Sequence, residues 1–526
     1  MKSYSNHLIA TQSFGESIPI NYRPTMRSSA AFPIRVENNK IDTIITFLGY
    51  WLLKREIKEV TAIITIRSSN GNTINIESNL INCVKSYRWS IKEILKNSQE
   101  NFNGHFFGSA EIEIFSARDM VFPYPAITLS YLSELGNTFV HTCGRIYNDI
   151  SDMEENNEQI VAETGFDIIP MKDYNPYFSF VNGPFKIDNE KIDLEYINNS
   201  GQSLFVKRTI DNENPYSTIW IDILDDKKVR SFFNGKRGTV KIHHDLKGFF
   251  PRFIAGNVYK NYEAISLTHT FYDTSKDSSD SVIWENSNKE KFFDSIISFP
   301  ISYNYDFTEL VIYPNLFPKK CSISFEFYDE DGIKVGKSSF TDSIADDRKS
   351  VNYINCRKLL EDITSDTKLH LCKVIFDGKG EVPTRMKFGL NIGMNSGANL
   401  PSNICFNAKV PNANILKKPT TFNWCTVFDA MNQSIFVTNA SFLRHNRPNA
   451  EIDVSFWREE DEQSLKFKCL LPADGVTDIM NINRDEISDF LNGDIGWATM
   501  RSTSPHTAGY YVTNFNKGVI GADHLY

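Results

Sequence analysis

The sequence predicts an all-β fold, a tandem array of four Ig-like or jelly-roll-like β-sandwich domains with few short helices. Three observations carry that prediction. Turn pairs recur at Asn70-Gly71, Ser200-Gly201, Asp331-Gly332 and Asp461-Glu462, in steps of 130, 131 and 130 residues from Gly71 to Gly201, Gly332 and Glu462. Apolar and polar residues alternate just before each turn. An isoleucine opens a short polar-apolar stretch about twenty residues after each turn, at Ile91, Ile221, Ile354 and Ile482. A steady long period marks copies of one folding unit.

Taken in order, each unit opens its pattern with a strand. The alternating residues are Ala62, Ile64 and Ile66; Ile192, Leu194 and Tyr196; Ile323, Phe325 and Phe327; and Ile452, Val454 and Phe456. Period two describes a strand with one buried face and one wet face. Glycine then supplies the positive φ of a tight hairpin. In the fourth unit Glu462 replaces it, which predicts a longer turn. The isoleucine marks lead into short helices at 91–96, 357–363 and 484–491. Further strands follow at 108–115, 238–244, 368–376 and 493–500. Bends bearing proline come next, near Pro123, Pro251, Pro383 and Pro505. Each unit closes on a strand ending at Val140-His141, Thr268-His269, Asn391-Ile392 or Asp523-His524. Many short strands with regular turn signals indicate a sandwich, and no βαβ alternation occurs.

The expected organisation is an arm over 1–42, then units over 43–165, 166–290, 291–402 and 403–526. Asp149–Glu158 and Ser275–Ser281 read as solvated linkers.

Composition narrows the function classes. The chain has 526 residues and a net charge of −9, against a general nucleic-acid binder, which needs a basic surface. Aromatic content of 13% suits strands. The eight cysteines form no CxxC pair and ignore the repeat, so reduced thiols and a cytoplasmic location are expected. No apolar stretch has membrane-spanning length. Gly332–Ser338 is one residue short of a phosphate loop and follows a hairpin. No GxSxG, HExxH or GxGxxG occurs, so no catalytic residue and no cofactor is assigned, and the reading leans away from an enzyme.

Two groups of candidate site residues remain. His141, His269 and His524 share one repeat position and are expected to be fold elements, each hydrogen-bonded within its own unit. The third unit carries Ile392 there. His243-His244-Asp245 could approach His269 as a metal set, but consecutive strand residues face opposite ways, and no metal is expected. In the fourth unit Trp497, His506, Tyr510, Tyr511, Asp523 and His524 are the residues of a small-ligand or sugar pocket: rings for stacking, polar tips for orientation.

Ser266-Leu267-Thr268-His269-Thr270, the strands Ile192–Tyr196 and Thr218–Leu224, and Val140-His141-Thr142 resemble the small cytoplasmic sensory-rhodopsin transducer β-sandwich. That resemblance implies a non-enzymatic, oligomer-forming sandwich used to bind a ligand or partner. The expected function is a non-enzymatic binding or scaffold protein, its partner a protein or small ligand, with carbohydrate among the candidates. The rivals are a carbohydrate-binding or carbohydrate-processing protein with its site in the fourth unit, and a structural or viral-particle component.

Overall fold

The computed structural model describes residues 24–38, 40–98, 102–141, 144–148, 163–250, 252–272, 283–314, 320–339, 351–383, 386–411, 420–429, 432–515 and 517–526. Pro251, Cys143, the linkers 149–158 and 275–281, and most of the expected arm lie outside them.

The fold is all-β. In the first unit eight strands run Arg27–Glu37, Ile41–Leu48, Val60–Ser68, Thr73–Ile81, Ser86–Ser90, His105–Phe115, Ile127–Ser133 and Gly136–His141. Numbered in that order, they pair 4-3-6-1 in one layer and 5-2-7-8 in the other, the two joined where the first and second strands pair at Glu37 and Ile41. The fourth unit repeats this order from Thr421–Phe428 to Ile520–His524, and the third from Ser295–Ile301 to Ser402–Asn407. The second unit follows it with a short first strand, Glu163–Thr164, and a broken eighth, Ala264–Ile265 and Thr268–His269. One topology is therefore used four times.

The turn between the third and fourth strands falls where the repeat puts it. Gly71, Gly201 and Gly332 have φ of 87°, 72° and 75°, the left-handed region that favours glycine. In the fourth unit the turn runs over 458–463, against 69–72 in the first, and so dispenses with glycine at Glu462.

Several expectations need correction. Arg27–Glu37 lies inside the expected arm yet pairs along its length with His105–Phe115. Its residues are buried on both faces, so it shows no alternation to read. In the third unit Asn391-Ile392 belongs to the seventh strand, Lys387–Gly393. The eighth, Ser402–Asn407, crosses the expected boundary at 402 and ends on asparagine. Pro383 ends a short strand, Glu381–Pro383, instead of a bend. Helices at Tyr50–Arg55, Lys227–Phe233 and Ile479–Ile482 accompany the three expected ones. No helix among the described residues is long and apolar enough to cross a membrane.

The units close into a ring. Each eighth strand touches the eighth strands of two other units, in the cyclic order first, second, third, fourth, first. Around this core, the third-fourth hairpins of the first, third and fourth units each dock on the loop ahead of the next unit's fifth strand. The Thr218 N–H donates to the Ser69 carbonyl (2.8 Å), and at the matching place the Ser86 N–H donates to the Arg458 carbonyl (3.0 Å). The second of these bonds ties the last unit to the first. A Cβ at Gly71 would lie 2.1 Å from the Pro215 carbonyl, and one at Gly332 2.1 Å from that of Ala473, so both glycines also serve close docking.

Candidate histidine centre

Three eighth strands end in histidine, and ring closure brings those ends together. His141, His269 and His524 each place one ring nitrogen within 4.8 Å of the others. The His141 and His269 Nε2 atoms are 3.1 Å apart, and the His141 ring lies 4.6 Å from both partner rings, centroid to centroid. Among the described residues this is the one group of three metal-capable side chains so close together. The expectation that each histidine bonds within its own unit fails for His141, because the strand end faces other units.

Asp523 organises the centre. Its Oδ2 accepts the His141 backbone N–H at 2.7 Å and contacts His141 Nδ1 at 2.8 Å, while its Oδ1 accepts the His524 N–H at 2.8 Å. One carboxylate thus pins the first unit's final strand to the fourth's. His269 Nδ1 lies 2.7 Å from the Thr270 carbonyl and His524 Nδ1 2.9 Å from that of Leu525. Carbonyls and carboxylates only accept, so all three Nδ1 atoms are donors. In a neutral ring the lone pair then sits on Nε2.

Burial sets the electrostatics. His269 is 4% exposed, and desolvation pulls its pKa well below the usual imidazole range, with His141 and Arg252 acting the same way. Burial also lowers His524, against the opposing pull of Asp523. Burial alone would raise Asp523, but the His141 ring and its hydrogen bond hold the carboxyl below its usual range.

The fourth-unit residues do not form a shared pocket. Trp497, His506, Tyr510, Tyr511 and Asp523 are all buried. Trp497 joins the first unit's apolar core together with Trp424 and Trp457. The Tyr511 ring stacks 4.6 Å from Phe139 of the first unit, and the Tyr510 hydroxyl donates to the Ser298 carbonyl of the third. His506 packs edge-on to Phe442, with ring centroids 4.9 Å apart. These side chains fill seams between units, a demand that local sequence does not announce. Asp523 and His524 alone reach the centre. A groove of about 430 Å³ does open between the third and fourth units, lined by Tyr303, Asn304, Glu330, Lys368 and Asp478, but by none of the expected residues.

His244 also lies apart from the centre. It packs against Phe249 and Phe253, its Nδ1 accepts the Leu246 N–H at 3.2 Å, and burial pushes its pKa down to about 3. The signal that marked the histidine centre was the common period of His141, His269 and His524. Asp523, beside the last of them, was readable only as part of a pocket.

No protein-family model matches this chain, and no curated protein matches it.

Proposed function

We propose that this chain is a non-enzymatic binding or scaffold protein whose working surface is the rim of the ring. The observation that carries this reading is a repeated one. The fourth strand is a sheet edge in every unit, and large apolar side chains stand exposed on it or beside it. Ile76, Leu80, Phe205, Ile333 and Leu470 are 56–66% exposed. An edge strand presents unpaired N–H and C=O groups, and apolar side chains beside them invite a partner strand. Burial of the fourth unit's aromatic and histidine residues in seams leaves the sugar-pocket reading without an exposed aromatic platform at those positions.

Light scattering against concentration tests the reading. A scaffold is expected to form regular assemblies that Phe205→Lys and Leu470→Lys together disperse, with the monomer's melting temperature unchanged. A particle that stays monomeric at every concentration, and is stabilised thermally by a glycan from a broad panel, would favour the carbohydrate reading instead.

A further inference from the structure

Three imidazoles from three units meet at one place with their Nδ1 atoms already committed as donors. Asp523, the Thr270 carbonyl and the Leu525 carbonyl take those protons. In the neutral rings this directs the Nε2 lone pairs of His141 and His269 at each other across 3.1 Å. Two lone pairs at that distance repel unless a cation lies between or beside them. Imidazole nitrogen is a preferred ligand of zinc-class ions, and tetrahedral Zn–N bonds of about 2.0–2.1 Å place ligand nitrogens about 3.3 Å apart. The His141–His269 pair, 3.1 Å apart, already has about that spacing, and the His524 ring, with a nitrogen within 4.8 Å of both, would close in on them to complete it. Histidine ligands of metal sites characteristically donate their other ring N–H to a carboxylate or a backbone carbonyl. All three rings here do so.

We propose that His141, His269 and His524 bind a divalent ion of the zinc class through Nε2, with solvent completing the coordination shell. Asp523 acts outside the ligand set: it orients His141 and offsets part of the ion's charge. The ion ties the first, second and fourth units together at the end of their eighth strands. The third unit, whose strand ends on Asn407, contributes no imidazole. The inference goes beyond the scaffold reading and does not depend on it. Metal binding would lock closure of the ring, whatever the rim recruits.

The test uses the full chain, stripped with chelator and titrated with Zn²⁺ by calorimetry and with Co²⁺ by visible absorption. The expected result is a single high-affinity equivalent, tetrahedral Co²⁺ bands, and a melting temperature raised by Zn²⁺. His269→Gln and His524→Gln should each weaken binding by at least about 100-fold, and Asp523→Asn by about 10–100-fold. His506→Gln, a buried histidine outside the centre, should bind as the wild type does. Should the substituted chains fail to fold, the wild type decides through its imidazole NMR signals. Three of the ten histidine rings should shift with one equivalent of Zn²⁺. Absence of binding, loss of binding in His506→Gln equal to that in His269→Gln, or movement of other rings overturns the proposal. Those results would leave a proton shared between two Nε2 atoms as the occupant of the centre.

Discussion

The seam between the third and fourth units and the seam between the fourth and first differ in chemistry at one register position. On the third unit's sixth strand Lys373 stands across from Glu326, the residue before Phe327. At the matching place in the fourth unit Thr499 stands across from Ser455, before Phe456. Glu111 across from Thr65 and Lys241 across from Glu195 occupy the position in the other two units. All four sixth-strand residues are buried. Lys373 Nζ meets the Asp474 carboxylate of the next unit at 3.1 Å, both side chains at most 1% exposed, and Arg447 also pairs with Asp474. Thr499 instead accepts the Trp457 indole N–H at 3.2 Å. Around it the fourth-first seam is aromatic and hydroxylic: Tyr50 stacks on Trp424 at 5.5 Å, and the Thr426 hydroxyl lies 2.9 Å from those of Thr46 and Thr128. The repeat dictates that the position be buried. Its polarity can vary, provided a partner is supplied, by the next unit for Lys373 and from within the same unit for Thr499, Glu111 and Lys241, because a buried polar group without one is costly.

The charged seam should therefore be the more brittle. Asp474→Ala leaves the Lys373 ammonium and the Arg447 guanidinium without their carboxylate and is expected to cost about 3–5 kcal/mol in urea unfolding. Adding Lys373→Met should recover much of that loss; no recovery would show that packing, not charge, holds the seam. In the fourth-first seam Thr426→Val breaks a hydroxyl relay and is expected to cost about 1–3 kcal/mol by the same measurement. A loss equal to that of Asp474→Ala would erase the contrast between the seams.

Acid should separate them further. Burial opposes ionisation of Glu326, but the Tyr328 and Lys334 hydrogen bonds, both 2.6 Å, and the charges of Lys334 and Lys373 lower its pKa from 4.5. A carboxyl depressed on folding stabilises the folded chain above its unfolded pKa, and that share is lost as pH falls through the folded value. Stability should thus fall below about pH 4.5 by less in Glu326→Gln than in the wild type. Equal acid slopes would remove Glu326 from the account. The smallest effect is expected at the hairpin tip, where Glu462 Oε1 accepts the Val84 N–H at 3.2 Å on exposed surface. Glu462→Gln keeps an acceptor there and should cost no more than about 0.5 kcal/mol in thermal melts.

Much of the fold was legible because its signals are local. The alternation of Ile323, Phe325 and Phe327 reports a half-buried strand within five residues, and Gly332 reports the turn that follows. Arg27–Glu37 was not legible, since a strand buried on both faces and interrupted by Pro33 resembles neither template. The third unit's last strand was missed for lack of the histidine that marks the others. At the candidate site, the period placed His141, His269 and His524 at one position of the fold but said nothing of their meeting.

By itself the sequence determined the all-β class, the repeated hairpin and the recurrence of histidine. The first two depend on the two-residue period of a strand and the positive φ of a turn, both settled within about ten residues, and the third on the repeat itself. Only the tertiary structure decided that His141 lies against Asp523, 382 residues away, and that the fourth unit's aromatic residues close a seam instead of lining a pocket. The pairing of these residues follows from how four sandwiches dock, and docking is selected by the summed burial of whole faces, a quantity that no short stretch of chain contains.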